Sequence, residues 1–315
     1  ERLIFLPSSI ATMEFALSVS LNYMSQRKAF GRTIDRFQVL RHRIAQLSSE
    51  VEALKVFSYY CYDLFDKDIY DVKLCSMGKL ICTELHEKVS TQCLQFFGGN
   101  GYTEDYPMAR MYRDSRLGTI GAGTSEIMRD IISKMVIDDV KYEKAKSNVS
   151  SNNSSTDSIN TFSNVESLSS LKKSDNYNLS LAIETLEVAE NTLEITIKFI
   201  NTINNDGEKQ SDSQVIRHQI AQLASEIECY KQFIQTTYND LVNNEDLEKE
   251  ITMAKLISVQ LMDKVVSQCY KMFGNYESLN IHPLEKIFQK SKMIQISNSC
   301  IGLHDNISKL VIDKK

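Results

Sequence analysis

The block QVLRHRIAQL at 38–47 recurs as QVIRHQIAQL at 214–223, with eight of ten positions identical. Such a repeat means that one supersecondary unit occurs twice, so a fold assigned to one half must also serve the other. The offset is 176 residues from Gln38 to Gln214 and again from Pro107 to Pro283, so no net insertion separates these blocks. Between them GKLICTELHEKVSTQCLQFFGGN runs in register with AKLISVQLMDKVVSQCYKMFGNY. The closing segments IISKMVID and NISKLVID correspond after a single deletion.

Within each unit the apolar residues recur three and four apart, the period of amphipathic helices. In the first half the pattern predicts helices near 2–26, 37–66, 70–97, 107–117 and 124–138. Only three prolines and eleven glycines interrupt the chain, and alternating β-branched runs are almost absent. The expected class is all-α, built as two tandem up-down helical bundles. The Ser/Asn-rich stretch SNVSSNNSSTDSINTFSNVESLSS is too poor in apolar bulk to offset its chain entropy, which predicts a flexible linker over 142–176. The expected domains are therefore 1–141 and 177–315, each long enough to bury a core. Glu1 enters directly into an apolar pattern without an initiator Met, so a fragment of a longer chain is expected.

Composition narrows the function classes. A net charge of -5 argues against a dedicated nucleic-acid binder. No apolar run approaches eighteen residues, so membrane contact is not indicated. Seven cysteines without a CxxC pair sit in apolar periodic stretches, which suits reduced, buried thiols rather than a metal site.

Two segments carry residues suited to chemistry. In QFFGGNGYTEDYPMARMYRDSRLGTIGAGTSE, Gly98, Gly99 and Gly101 let a ligand approach the backbone, and Thr124 offers a capping hydroxyl beside free N–H groups. A plain helix-loop-helix with a capped start would read the same way. In QRKAFGRTIDRFQVLRHR, Arg27, Arg32, Arg36, Arg41 and Arg43 surround the Gly31 turn. An anion grip by Arg27 beside Phe30 is one reading, and a solvated basic face is the other. No aromatic array accompanies the charge to support nucleic-acid binding.

Together these segments resemble the helical C-terminal domain of the flavin-dependent acyl-CoA dehydrogenases. RKAFGRTI, FQ, QFFGGNGYTEDYPMARMYRD and GAGTSEI stand in that family's order and spacing over essentially all of 1–140. The resemblance implies FAD as cofactor, with Arg27, Phe30 and Gln38 as contacts. It implies that the loop carrying Gln95, Gly98 and Gly99 reaches the FAD of a neighbouring subunit, with Thr124 and Glu126 against the same cofactor. Arg113 and Asp114 are expected to be structural. An acyl-CoA substrate, an electron-transfer flavoprotein as acceptor, and a place in fatty-acid β-oxidation or branched-chain amino-acid breakdown are implied by the same resemblance. So is a compartment: mitochondrial matrix in a eukaryote, cytoplasm in a bacterium.

Most members of the family carry their catalytic base as the Glu of YEGT, where this sequence has Gly121, Ala122, Gly123 and Thr124. Isovaleryl-CoA and long-chain dehydrogenases instead place a Glu before Arg-Leu at the start of the domain. The chain opens Glu1, Arg2, Leu3, so the resemblance makes Glu1 the base, with Arg2, Gly121 and Ala122 at the substrate. Such a base needs a desolvated carboxylate with a raised pKa. Helix capping through the dipole is the bland alternative for Glu1.

At the 176 offset Glu1 becomes Tyr177, Arg27 becomes Ile203, Phe30 becomes Asp206 and Gln95 becomes Lys271, while Gly31, Gln38 and Gly98 persist as Gly207, Gln214 and Gly274. The GAGTSE segment is replaced near Ser297–Gly302. The second copy is thus expected to be degenerate and non-catalytic, packed as an intrachain pseudo-dimer partner, with homo-oligomerisation the related possibility. A catalytically silent helical interaction module is the alternative for the whole chain.

Overall fold

The computed structural model describes residues 1–142, 173–202, 209–242, 247–273, 284–298 and 300–313, with the side chains of 173–176 and 242 left aside. Most of the expected linker lies outside the described residues. Its last part does not, because a helix already begins at Lys173.

The first unit comprises α1 (Phe5–Gln26), α2 (Gln38–Asp66), α3 (Val72–Phe97), a single turn α4 (Gly99–Tyr102), α5 (Met108–Gly118) and α6 (Ser125–Ile137). The second comprises α7 (Lys173–Ile200), α8 (Gln214–Val242), α9 (Glu248–Met272), α10 (Glu285–Ser297) and α11 (Cys300–Ser308). Both ends of α8 fall 176 residues after those of α2, so the structural repeat keeps the register of the sequence repeat.

Local signals explain the boundaries. Asp71 caps α3 by accepting the Leu74 N–H at 2.9 Å, and Gly98, at φ 56°, closes it. One feature departs from the all-helical expectation. Lys28–Ala29 (β1) and Arg32–Thr33 (β2) form a small antiparallel hairpin, whose turn residues Phe30 and Gly31 both have positive φ. Two-residue strands are too short to register as alternation, and the turn favours the primed type that fits hairpin twist.

Along α2, Ile44, Leu47, Val51, Leu54, Ser58 and Cys61 are buried at three- and four-residue spacing, a stripe that faces inward. Where α1, α2 and α3 meet, Gly78 leaves room for Leu6 and Phe57: a Cβ there would lie 3.1 Å from Leu6 Cδ2. Fully burying a side chain such as Phe57 contributes about 1.5–3 kcal/mol. The apolar side chains of both units form one continuous buried cluster, from Leu3 to Ile307. By length and composition α1 with its leading turn, Arg2–Gln26, could cross a membrane, but Leu6, Met13, Ala16 and Met24 are wholly buried in this core.

The two units meet through α2, α6, α8, α11 and the segment that follows α11, and several of the polar contacts come in reciprocal pairs. Arg41 pairs with Asp313 at 2.8 Å, and its counterpart Arg217 pairs with Asp138. His42 Nε2 lies 2.7 Å from Asp305, and His218 Nε2 lies 2.8 Å from Asp130. Gln38 and Gln214 donate to the same two aspartates. A contact set that maps onto itself when the partners are exchanged has the pattern of an isologous interface. The symmetry breaks near its centre. Arg129 bonds both Glu84 and Gln222, whereas the corresponding His304 bonds Gln46, and Gln260 stands where Glu84 would.

All seven cysteines are free. Burial pushes the thiols up, to about 12 for Cys82 and about 11 for Cys93 and Cys269, which disfavours the reactive thiolate there.

Candidate functional site

The structure divides the twelve residues singled out from the sequence into two groups at opposite ends of the first bundle. One group gathers where α1 and α3 begin. Arg2 donates to Ser76 Oγ at 3.0 Å, which fixes the start of the chain against α3. Phe5 packs under the turn before α6, its ring 3.4 Å from where a Gly121 Cβ would sit. In that turn Ala122 (φ 53°) and Gly123 (φ 103°) are consecutively left-handed. Thr124 then caps α6, accepting the Ile127 N–H at 3.4 Å. Glu1, Arg2, Gly121, Ala122, Thr124 and Glu126 therefore share one end.

The electrostatics there have definite causes. The Glu126 carboxyl is held below its usual range by its own backbone N–H and by the Thr124 hydroxyl, an N-terminal capping role that also suits the helix dipole. Glu1 is exposed, and its backbone carbonyl accepts the Ile4 N–H at 3.2 Å. The desolvation expected for a base is not provided by the described residues. Arg113 and Asp114 pair on the surface with Glu104 and Arg110.

The second group lies at the other end. The β1–β2 hairpin comes directly after α1, and the Ile34 N–H closes it by donating to the Arg27 carbonyl at 2.9 Å. Phe30 at its tip is 94% exposed. The GGNG loop is tied to the last turns of α1: Tyr23 stacks on Phe97 at 4.1 Å, and Asn100 donates to the Tyr23 hydroxyl at 2.9 Å. Gly101 is required there, since a Cβ would meet the Leu94 carbonyl oxygen at 2.6 Å. Gly98 and Gly99 are open, with nothing within 4 Å of an added Cβ. Arg27, Phe30, Gln95, Gly98 and Gly99 are thus all exposed at the end where α1 and α3 finish. Gln38 begins α2 beside them and reaches Asp305 of the second unit at 3.3 Å.

From Lys79 to Gly98 along α3 the two ends are roughly 28 Å apart at 1.5 Å per residue. A compact ligand cannot touch both groups of one chain. Among the described residues no cluster of three His, Cys, Asp or Glu side chains could hold a metal ion.

Two residues at the first end were not singled out from the sequence, although Ser125 stands in the GAGTSE motif. Ser125 is buried with an unpartnered hydroxyl, and it lines a cleft of about 720 Å³ together with Thr124, Glu126, Arg116 and Arg129. Lys79 is wholly buried, and its ammonium donates to the Gly123 carbonyl at 2.6 Å. A lysine in the apolar stripe of MGKL, repeated in MAKL, was the available signal.

The sequence model of the family described as acyl-CoA dehydrogenase, C-terminal domain, matches residues 1–137 and 175–298. The chain therefore belongs to this family, and the match takes in both units. Among curated relatives, the mitochondrial long-chain specific acyl-CoA dehydrogenase of Rattus norvegicus is 36% identical over 139 residues, 44% of this chain and 32% of that protein. The mitochondrial isovaleryl-CoA dehydrogenase of Oryza sativa subsp. japonica is 37% identical over 134 residues, 42% of this chain and 33% of that protein. The chain thus spans about a third of the length of these relatives. A solved acyl-CoA dehydrogenase from Bacillus anthracis, complexed with FAD, superposes over 99% of this chain and 54% of its own with a TM-score of 0.74. At 15% identity that likeness shows the fold, here a fold shared across both units.

Proposed function

We propose that the chain is the C-terminal part of an FAD-dependent acyl-CoA dehydrogenase that oxidises an acyl-CoA to the trans-2-enoyl thioester. The observation that carries this reading is the convergence of Glu1, Arg2 and the Gly121–Thr124 turn at one end of the bundle, in a chain whose family membership is shown.

The residues present fit a flavin cofactor. The buried, orphaned Ser125 hydroxyl and the N-terminus of α6 offer donors to an anionic or polar ring edge. The exposed end offers Arg27, Phe30 and two open glycines. The separation of the two groups speaks against Thr124 and Glu126 lying against the same cofactor as Gln95, Gly98 and Gly99 of one chain; these three glycine-loop residues, with Arg27 and Phe30 at the same end, would serve a cofactor shared with a neighbouring subunit. When bound, FAD would accept the β hydrogen as hydride. Glu1 would remove the proton α to the thioester carbonyl, its desolvation supplied by whatever covers it when substrate is bound. Arg2 and the Gly121–Ala122 backbone would orient the thioester. Electron-transfer flavoprotein is the proposed acceptor, and the mitochondrial matrix the proposed compartment in a eukaryote.

The second unit serves as a non-catalytic pseudo-partner. The reciprocal pairs across α2, α6, α8 and α11 support this role. The exposure of Glu1 favours the second reading, a catalytically silent helical module. The full-length protein assayed with a panel of acyl-CoAs and an artificial acceptor separates them. Turnover that falls about 10²–10⁴-fold in Glu1→Gln supports the assignment. Undiminished turnover in Glu1→Gln refutes Glu1 as the base, and no turnover with any acyl-CoA favours the silent module.

A further inference from the structure

We infer that Lys79 is a positioning residue: by holding the Gly123 carbonyl it sets the backbone of the Gly121–Thr124 turn on which the thioester would lie. The tether stands on geometry alone, and its link to the thioester rests on the function proposed above.

Lys79 sits on the inward face of α3 with no exposed surface, flanked by the buried Met77 and Leu80. A buried ammonium is costly unless it is paired and hydrogen-bonded. Burial pulls the Lys79 pKa down, opposed by the charges of Glu84 and Glu126. Its direct bond is the 2.6 Å donation to Gly123, and its ammonium lies 5.9 Å from the centre of the Phe5 ring. That ring also supports Gly121. The turn needs such a hold. The left-handed Ala122 is strained, whereas Gly123 adopts its positive φ freely, and strain persists only where surroundings over-determine it. The other fixings of the turn are backbone bonds, Gly121 N–H to Leu117 at 2.8 Å and Ser125 N–H to Thr119 at 3.1 Å.

The second unit supplies an internal control. Lys255 occupies the same register in α9 and is also buried, yet it donates to Asn178 at 3.0 Å and lies 5.1 Å from the Tyr177 ring. The lysine is present in both units, but among the described residues it holds a backbone carbonyl only in the first.

The test is hydrogen exchange on the full-length protein. In Lys79→Met, protection of the Gly121 and Ser125 amides should fall at least ten-fold while α8 is unchanged, and Lys255→Met should leave 117–128 unchanged. In an Ala122→Gly background, where the strain is relieved, the effect of Lys79→Met should shrink below about three-fold. The kcat with acyl-CoA should fall at least ten-fold in Lys79→Met with KM altered less than three-fold. Unaltered protection in a folded Lys79→Met protein overturns the tether. Lost protection with unaltered kcat keeps the tether but overturns its part in positioning the thioester. A parent enzyme that turns over no acyl-CoA refutes the function proposed above, and exchange alone then decides the tether. Should Lys79→Met fail to fold, the side-chain ammonium protons of the unaltered protein decide: slow solvent exchange at Lys79 supports the tether, and exchange as fast as at surface lysines refutes it.

Discussion

The central helices α3 and α9 occupy matching places in the two units, and the units diverge in the segments into which these helices lead. Both helices bury a lysine in an apolar stripe, both carry a Glu–Lys pair to the neighbouring helix, Glu50–Lys88 and Glu226–Lys264, and both present a buried cysteine, Cys93 and Cys269. Beyond α3 come the GGNG loop, the strained turn and the Thr124 cap. Beyond α9 the chain leads to α10 and α11 without the GAGTSE sequence. Packing positions are thus retained in both halves while loop chemistry differs. A core side chain touches many neighbours at once, whereas a loop residue is free to change when no ligand depends on it.

The largest expected effect tests whether the units are energetically one body. Phe57 and Phe233 are counterparts, and both are buried in the shared core. Phe57→Ala and Phe233→Ala should each cost about 3–5 kcal/mol and lower one common calorimetric transition. Two separate transitions, each moved by only one variant, would break the comparison.

Deleting 177–315 should leave the faces of α2 and α6 uncovered. Arg41, His42 and Gln38 would then find Asp138 and Asp130 on a second molecule, because the reciprocal pairs are self-complementary. Sedimentation should therefore show a homodimer of the remaining unit. A stable monomer of unchanged stability would remove the pseudo-partner role.

Acid should weaken the junction from both sides. The imidazoles of His218 and His42 hold the Asp130 and Asp305 carboxyls below the ordinary value of 3.8. A depressed carboxylate contributes stability that is complete above its unfolded value and fades as pH falls through the folded one. Denaturant titrations between pH 5 and 2 should show this loss, and Asp130→Asn and Asp305→Asn should diminish it equally. Unequal losses would show that the central asymmetry of Arg129 against His304 reaches the rim.

The smallest effect is expected at Arg41 and Arg217. Their aspartate partners are more than a third exposed, so solvent screens each pair to roughly 0.2–1 kcal/mol. Arg41→Ala and Arg217→Ala should match within error in urea denaturation.

Much of this was open to sequence reasoning, for identifiable reasons. Helices as long as α2 repeat their apolar period many times, so a bound misjudged by a residue or two does not hide them. The β1–β2 hairpin was missed because two-residue strands carry no period. Lys79 was passed over because a lysine is ordinarily a surface residue, and only the core around it reveals that it is buried. The glycine loop and the turn before α6 were read against one cofactor, yet α3 holds them at two ends. Sequence order separates Glu1 from Arg27 by the length of α1, but it does not say which end of the bundle the turn before α6 joins.

By itself, then, the sequence determined the duplication, the helical class and the residue types around the turn and the glycine loop, because these rest on local period, register and composition. Only the tertiary structure decided that the two copies share one core through a self-complementary junction, and that Lys79 grips the turn before α6. Those facts depend on contacts between residues 44 to 272 positions apart, such as Lys79 with Gly123 and Arg41 with Asp313, and no local pattern encodes such a distance.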